Sequence, residues 1–159
     1  MTEDPLDLLQ QAVISENALA QQFVDLLGEE QSALTSGKTN ELPLLIERKE
    51  KLAAELNRLT KQRGDVLTAL GYSANRFGME AWKEANPEQK TTVETWMQTL
   101  LLTTRACELN RVNGELVQMH MQYNNNALAV LLHKETHLDL YGSDGRPSMQ
   151  GGRKIDDSI

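Results

Sequence analysis

The chain has 159 residues, a formal net charge of −7, and 40% apolar, 25% charged and 4% aromatic residues. Its length suits one domain, and its acid excess excludes a nucleic-acid binder, because phosphate recognition rests on clustered Lys and Arg. Scarce aromatics beside abundant Leu, Ala, Gln and Glu predict thin helix-on-helix packing, and therefore an all-α fold.

The acidic start at Asp4 followed by Pro5 is an N-cap and first-turn signature. It opens a helix over 5–36 with Leu6, Val13, Ala20, Leu27 and Leu34 at seven-residue intervals, and Leu9 and Phe23 filling the same seam. Its charges are all acidic, and no Lys or Arg precedes Lys38. Gly37, with Ser36, Thr39 and Asn40 around it, ends this helix and starts another over 41–70. The second seam reads Leu42, Leu45, Leu52, Leu56, Leu59, Val66 and Leu70, with Lys49 and Arg63 at its remaining inward positions. Pro43 falls in the first turn, where it is tolerated. So short a connection predicts an antiparallel coiled-coil hairpin, its acidic first arm facing a partly basic second one.

Gly71, Asn75 and Gly78 break the pattern before a short helix over 76–84, and Asn86 followed by Pro87 starts a third long helix over 88–137. Trp82 and Trp96 are expected to pack this corner. A helix of that length would run about 70 Å, too long to serve a small core without a partner along it. Its apolar residues form two stripes. Leu102, Leu109, Leu116, Tyr123 and Val130 recur every seven residues, while Val93, Leu100, Cys107, Met121 and Leu128 hold a second register broken at Gly114. One stripe can pack on this chain, and the other is left seeking a surface. The chain thus reads as an elongated helical domain over 1–137 and a flexible, Gly-rich tail over 138–159.

Candidate sites for chemistry weigh lightly. His133 and His137 share a helical face, but Lys134, Glu135 and Thr136 between them do not make the zinc-protease spacing, so solvated helix-end histidines are expected. Gly142 to Gly145 reads as a helix stop, and no strand precedes it to form a phosphate loop. Cys107, the only cysteine, rules out an internal disulfide and fits a reducing compartment; on its apolar stripe it is expected to pack. No catalytic residue, metal or cofactor is expected, and no enzyme. Asn110 and Asn113 either bridge helices or hydrogen-bond a bound peptide. Tyr141, beside Leu138 and Leu140, is either a staple folded back on the long helix or an exposed docking residue. No run of ~18 apolar residues and no signal-peptide pattern is present, which predicts a cytoplasmic protein without direct membrane insertion.

Leu45-Ile-Glu-Arg-Lys-Glu-Lys-Leu52, Leu109-Asn-Arg-Val-Asn-Gly-Glu-Leu116, Leu140-Tyr-Gly-Ser-Asp-Gly145 and Gly151-Gly-Arg-Lys-Ile155 together resemble the FlgN family of flagellar export chaperones. The first segment is generic coiled-coil sequence; the second and third, as a pair, are more specific. The resemblance implies a cytoplasmic chaperone that binds the amphipathic C-terminal segment of hook-associated proteins of the hook–filament junction, prevents their early assembly and delivers them to the export gate. It implies that Tyr141, with Leu140 and Gly142, docks on the cytoplasmic domain of that gate. For the client it implies a region, within which the stripe selects Leu109, Val112, Asn113, Leu116, Met119, Tyr123, Val130 and Leu131. The alternative is a structural coiled-coil protein that self-associates through the same stripes, as a homodimer.

Overall fold

A computed structural model of the chain describes residues 3–138, with side chains as far as residue 133. Its elements are four helices, α1 (Pro5–Ser36), α2 (Leu42–Ala69), α3 (Arg76–Ala85) and α4 (Lys90–Leu138), with a 3-10 turn at Thr39–Glu41. The all-α expectation is met, and the described residues contain no strand. The chain divides between Val117 and Gln118 into two compact units, so the last part of α4 belongs to the second.

The ends of the helices follow from local chemistry. The Asp4 carboxylate accepts a 3.0 Å hydrogen bond from the Leu6 amide, and Pro5 occupies the first turn, where its missing N–H is no loss. At the other end Gly37 takes φ 73°, a left-handed conformation that only glycine adopts cheaply, and returns its N–H to the Ala33 carbonyl. α3 starts at Asn75, whose side chain accepts from the Gly78 amide at 3.1 Å. A Cβ on Gly78 would stand 1.7 Å from the Ser73 carbonyl oxygen, so the cap closes only around a bare glycine.

In the first unit α1 and α2 form the expected antiparallel hairpin. Glu30 meets Lys49 at 2.9 Å, Glu29 meets Arg48 at 2.8 Å and Glu16 meets Arg63 at 2.7 Å, so partners climb along α2 as they descend along α1. α4 runs the other way, parallel to α1. Asn17 donates to the Thr99 hydroxyl at 3.0 Å, and Asn113 donates to the Leu27 carbonyl at 2.9 Å. α3 turns the chain between them. Its Met79 and Trp82 join Leu9, Val13, Leu67 and Trp96 in the main core, which brings both tryptophans to the corner as expected. A second cluster of Leu26, Ala33 and Leu45 closes the end near the 3-10 turn.

The two charged residues of the α2 seam are not solvated exceptions. Arg63 is 6% exposed; it pairs with buried Glu16 and lies 4.4 Å over the ring of Trp96. Thr60 adds a 2.9 Å hydrogen bond to the same carboxylate. Such a cation, stacked and paired, keeps its charge inside a core at tolerable cost. Nearby, Lys83 hydrogen-bonds Glu80 and, with a longer bond from the Trp96 indole, holds that carboxyl below the usual carboxylate range.

Two expectations follow. Gly78→Ala should lower stability by at least about 2 kcal/mol, because the methyl group meets backbone that has nowhere to move. Gly114→Ala, in an open helical position with nothing within 4 Å, should raise it by about 0.5–1 kcal/mol, and urea melts followed by far-UV circular dichroism rank the three proteins. Separately, Glu16→Ala should cost about 3–5 kcal/mol by stranding Arg63, while Glu16→Leu with Arg63→Met should recover most of it. A double variant less stable than Glu16→Ala in the same melts would refute that account.

Candidate functional site

The first stripe of α4 has two fates. In the first unit Leu102, Leu109 and Leu116 are half-buried. Leu102 and Leu109 line a shallow cleft with Val24 and Gly28 of α1, so this stretch of the stripe is the seam by which α4 lies on α1. Val112 is half-buried as well. Asn113 is 2% exposed, and its amide donates to the Leu27 carbonyl and to Glu30, each at 2.9 Å. Of its two readings, the bridge between helices is the one realised; its amide is committed to α1, and its Oδ1 is buried without a partner. α1 ends at Ser36, six residues past Glu30.

In the second unit the same stripe is open. Met119, Tyr123 and Val130 are 65%, 73% and 60% exposed, and Leu131 stands beside them at 58%. With 3.6 residues per turn, Met119, Tyr123 and Val130 share one side of the helix, and Met121 and Leu128 lie about 180° around it. Met121 and Leu128 are also exposed. A helix apolar on two opposite sides is normally enclosed by other chains or elements, so these two faces are the clearest sign of an interaction surface.

A third feature was not anticipated from the sequence. An apolar groove of about 500 Å³ runs across the first unit, with Ala20 and Phe23 of α1 as its floor and α2 and α4 as its walls. Cys107, expected to pack, is instead exposed on the α4 wall, and Asn110 stands at the same wall. The seven-residue pattern put Cys107 on an apolar stripe, but here it lines an open groove whose other lining residues include the short side chain of Ala53.

Among the described residues no group of three or more His, Cys, Asp or Glu is placed to hold a metal, and no helix is long and apolar enough to cross a membrane. The side chain of His137, and Leu140, Tyr141 and Gly142, lie outside the residues whose side chains are described. The described site is therefore one of apolar contact surface.

Comparison with known proteins agrees in character. The family model described as FlgN protein matches residues 1–148. A flagella synthesis protein FlgN of Salmonella typhimurium is 33% identical over 107 residues, covering 64% of this chain and 73% of the relative. That of Proteus mirabilis is 32% identical over 110 residues, with the same coverage, and that of Escherichia coli is 25% identical over 145 residues, covering 87% of this chain and 91% of its own. No solved structure matches the chain. With a family model spanning nearly all of a sequence whose described elements are helices with apolar faces left open, the chain belongs to the FlgN family.

Proposed function

We propose that this protein is a cytoplasmic, non-enzymatic export chaperone for flagellar hook-associated proteins. It holds the amphipathic C-terminal segment of a client until secretion, prevents premature assembly and delivers the client to the flagellar export gate. The observation that carries this reading is the open side of the second-unit helix, formed by Met119, Tyr123 and Val130 with Leu131 at its edge. An amphipathic client helix lays its apolar face along such a side, and Met119, Tyr123 and Val130, at i, i+4 and i+11, fall within about 40° of one another around the helix.

The magnitudes suit a temporary hold. Fully burying a large apolar side chain is worth roughly 1.5–3 kcal/mol, and four of them offset the entropic cost of association with only a modest surplus. Leu109, Val112 and Leu116 have less area left to offer, and Asn113 is occupied with α1. In this reading Leu140, Tyr141 and Gly142 dock the loaded chaperone on the cytoplasmic domain of the gate. A second reading, self-association as a coiled coil, is favoured by the opposite face of Met121 and Leu128.

Tyr123→Asp with Val130→Asp should cut co-purification of a hook-associated protein at least tenfold while the far-UV spectrum stays the same. Capture at wild-type level would defeat the client assignment, and a concentration-dependent dimer abolished by Met121→Asp with Leu128→Asp would support self-association in its place. Tyr141→Asp should spare client capture but lose binding to the gate domain and lower secretion, and retained gate affinity would count against the docking role.

A further inference from the structure

We propose that the groove of the first unit is the seat of a short amphipathic helix from a partner protein, one that brings a Lys or Arg to Glu50. This goes beyond the client assignment and uses none of its residues.

The groove has the length of a three-turn helix and room for one apolar face of it. Its α2 wall runs from Lys49 to Thr60 and its α4 wall from Thr99 to Asn110, each about 16 Å at 1.5 Å per residue, or three helical turns. Small side chains at Ala20, Ala53, Thr103 and Ala106 leave the space, and Phe23, Leu56 and Leu102 make it apolar. Polar clamps hold the walls apart at both ends. At one end Arg63 is fixed between Glu16 and the Trp96 ring; at the other Glu30 takes both Lys49 and Asn113. The slot is therefore built into the bundle and does not collapse on itself.

The walls also decide the secondary structure of what enters. Every wall is α-helix, with its backbone N–H and C=O groups already bonded along its own axis, so none is offered to an extended strand. A segment entering an apolar slot must then satisfy its own backbone, which a helix does. Three turns of wall fall well below the ~800 Å² per partner of a stable dimer, which favours a peptide-scale, releasable contact over a second copy of the chain.

Charge selects the occupant further. Glu47, Glu55 and Asp65 of α2 pair with Lys51, Arg58 and Lys61. The neighbouring cations Arg48 and Lys49 are taken by Glu29 and Glu30. Glu50 alone among the α2 acids has no ion pair among the described residues, and it lines the groove. The groove thus offers an uncompensated carboxylate beside an apolar slot, and a basic residue flanking an apolar helix face complements both.

The test uses the full chain and a synthetic 14-residue helical peptide with Leu at i, i+4 and i+7 and Arg flanking them, beside a scrambled peptide and one with Glu in place of Arg. The Leu/Arg peptide should bind in the micromolar range and slow modification of Cys107, the unique thiol and a groove residue, at least tenfold at saturation. Ala106→Trp, which fills the slot, should weaken binding at least tenfold with an unchanged or higher melting temperature. Glu50→Lys, an exposed change, should shift preference to the Glu peptide, and Tyr123→Asp with Val130→Asp should leave peptide binding intact. Equal binding of the scrambled peptide, undiminished Cys107 reactivity at saturation, or wild-type affinity in Ala106→Trp would each overturn the proposal. So would a dimer, seen by light scattering, that Ala106→Trp dissolves, because the occupant would then be a second copy.

Discussion

Two buried carboxylates on α1 hold the first unit in register. Glu16 takes Arg63 and Thr60 of α2, and Glu30 takes Lys49 of α2 and Asn113 of α4. Glu16 and Glu30 stand fourteen residues apart, as do Lys49 and Arg63, so the hairpin has one alignment in which both pairs close. An apolar seam of Leu, Val and Ala tolerates sliding by a heptad, because one layer resembles the next. A buried charge does not, since a slipped register leaves it unpaired at a cost of several kcal/mol. Stability comes from the leucines and tryptophans, and alignment comes from the acids.

That alignment has consequences for contact surfaces. Asn113 binds α1 close to its end, and α1 stops at Ser36. The seven-residue stripe on α4 is half-buried at Leu102, Leu109 and Leu116, with Leu102 and Leu109 set beside α1, whereas Met119, Tyr123 and Val130 are solvent-exposed. A single periodic pattern is half-buried in one unit and solvent-exposed in the other.

The groove arises from the same clamps. Were α2 and α4 free to approach, Ala20, Ala53 and Ala106 would let them close over Phe23. Arg63 on Trp96 at one end and the Glu30 node at the other keep the helices spaced. Polar groups that specify the fold thus also border an apolar slot within it, beside Glu50, which has no ion pair among the described residues.

Much of this was legible along the chain. Asp4 with Pro5, Gly37 and Asn75 mark helix ends because capping is a local event between residues a few positions apart. Seven-residue repeats report helices for the same reason, and the short link after Ser36 compels a hairpin. The FlgN resemblance was readable in the paired Asn-x-x-Asn-Gly-x-Leu and Leu-Tyr-Gly-x-Asp-Gly segments. What the repeats could not say was which neighbour each face meets. Periodicity places Cys107 and Leu109 equally on apolar stripes, but only the packing of α4 on α1 leaves the thiol on an open wall and half-buries the leucine. The partner of Asn113, the pairing of Lys49 and Arg63 with acids far along the chain, and the close approach of Ser73 that keeps Gly78 bare all join residues from different elements or across a turn. Helix formation is decided within a few turns of sequence, whereas burial is decided by whatever the rest of the fold brings alongside.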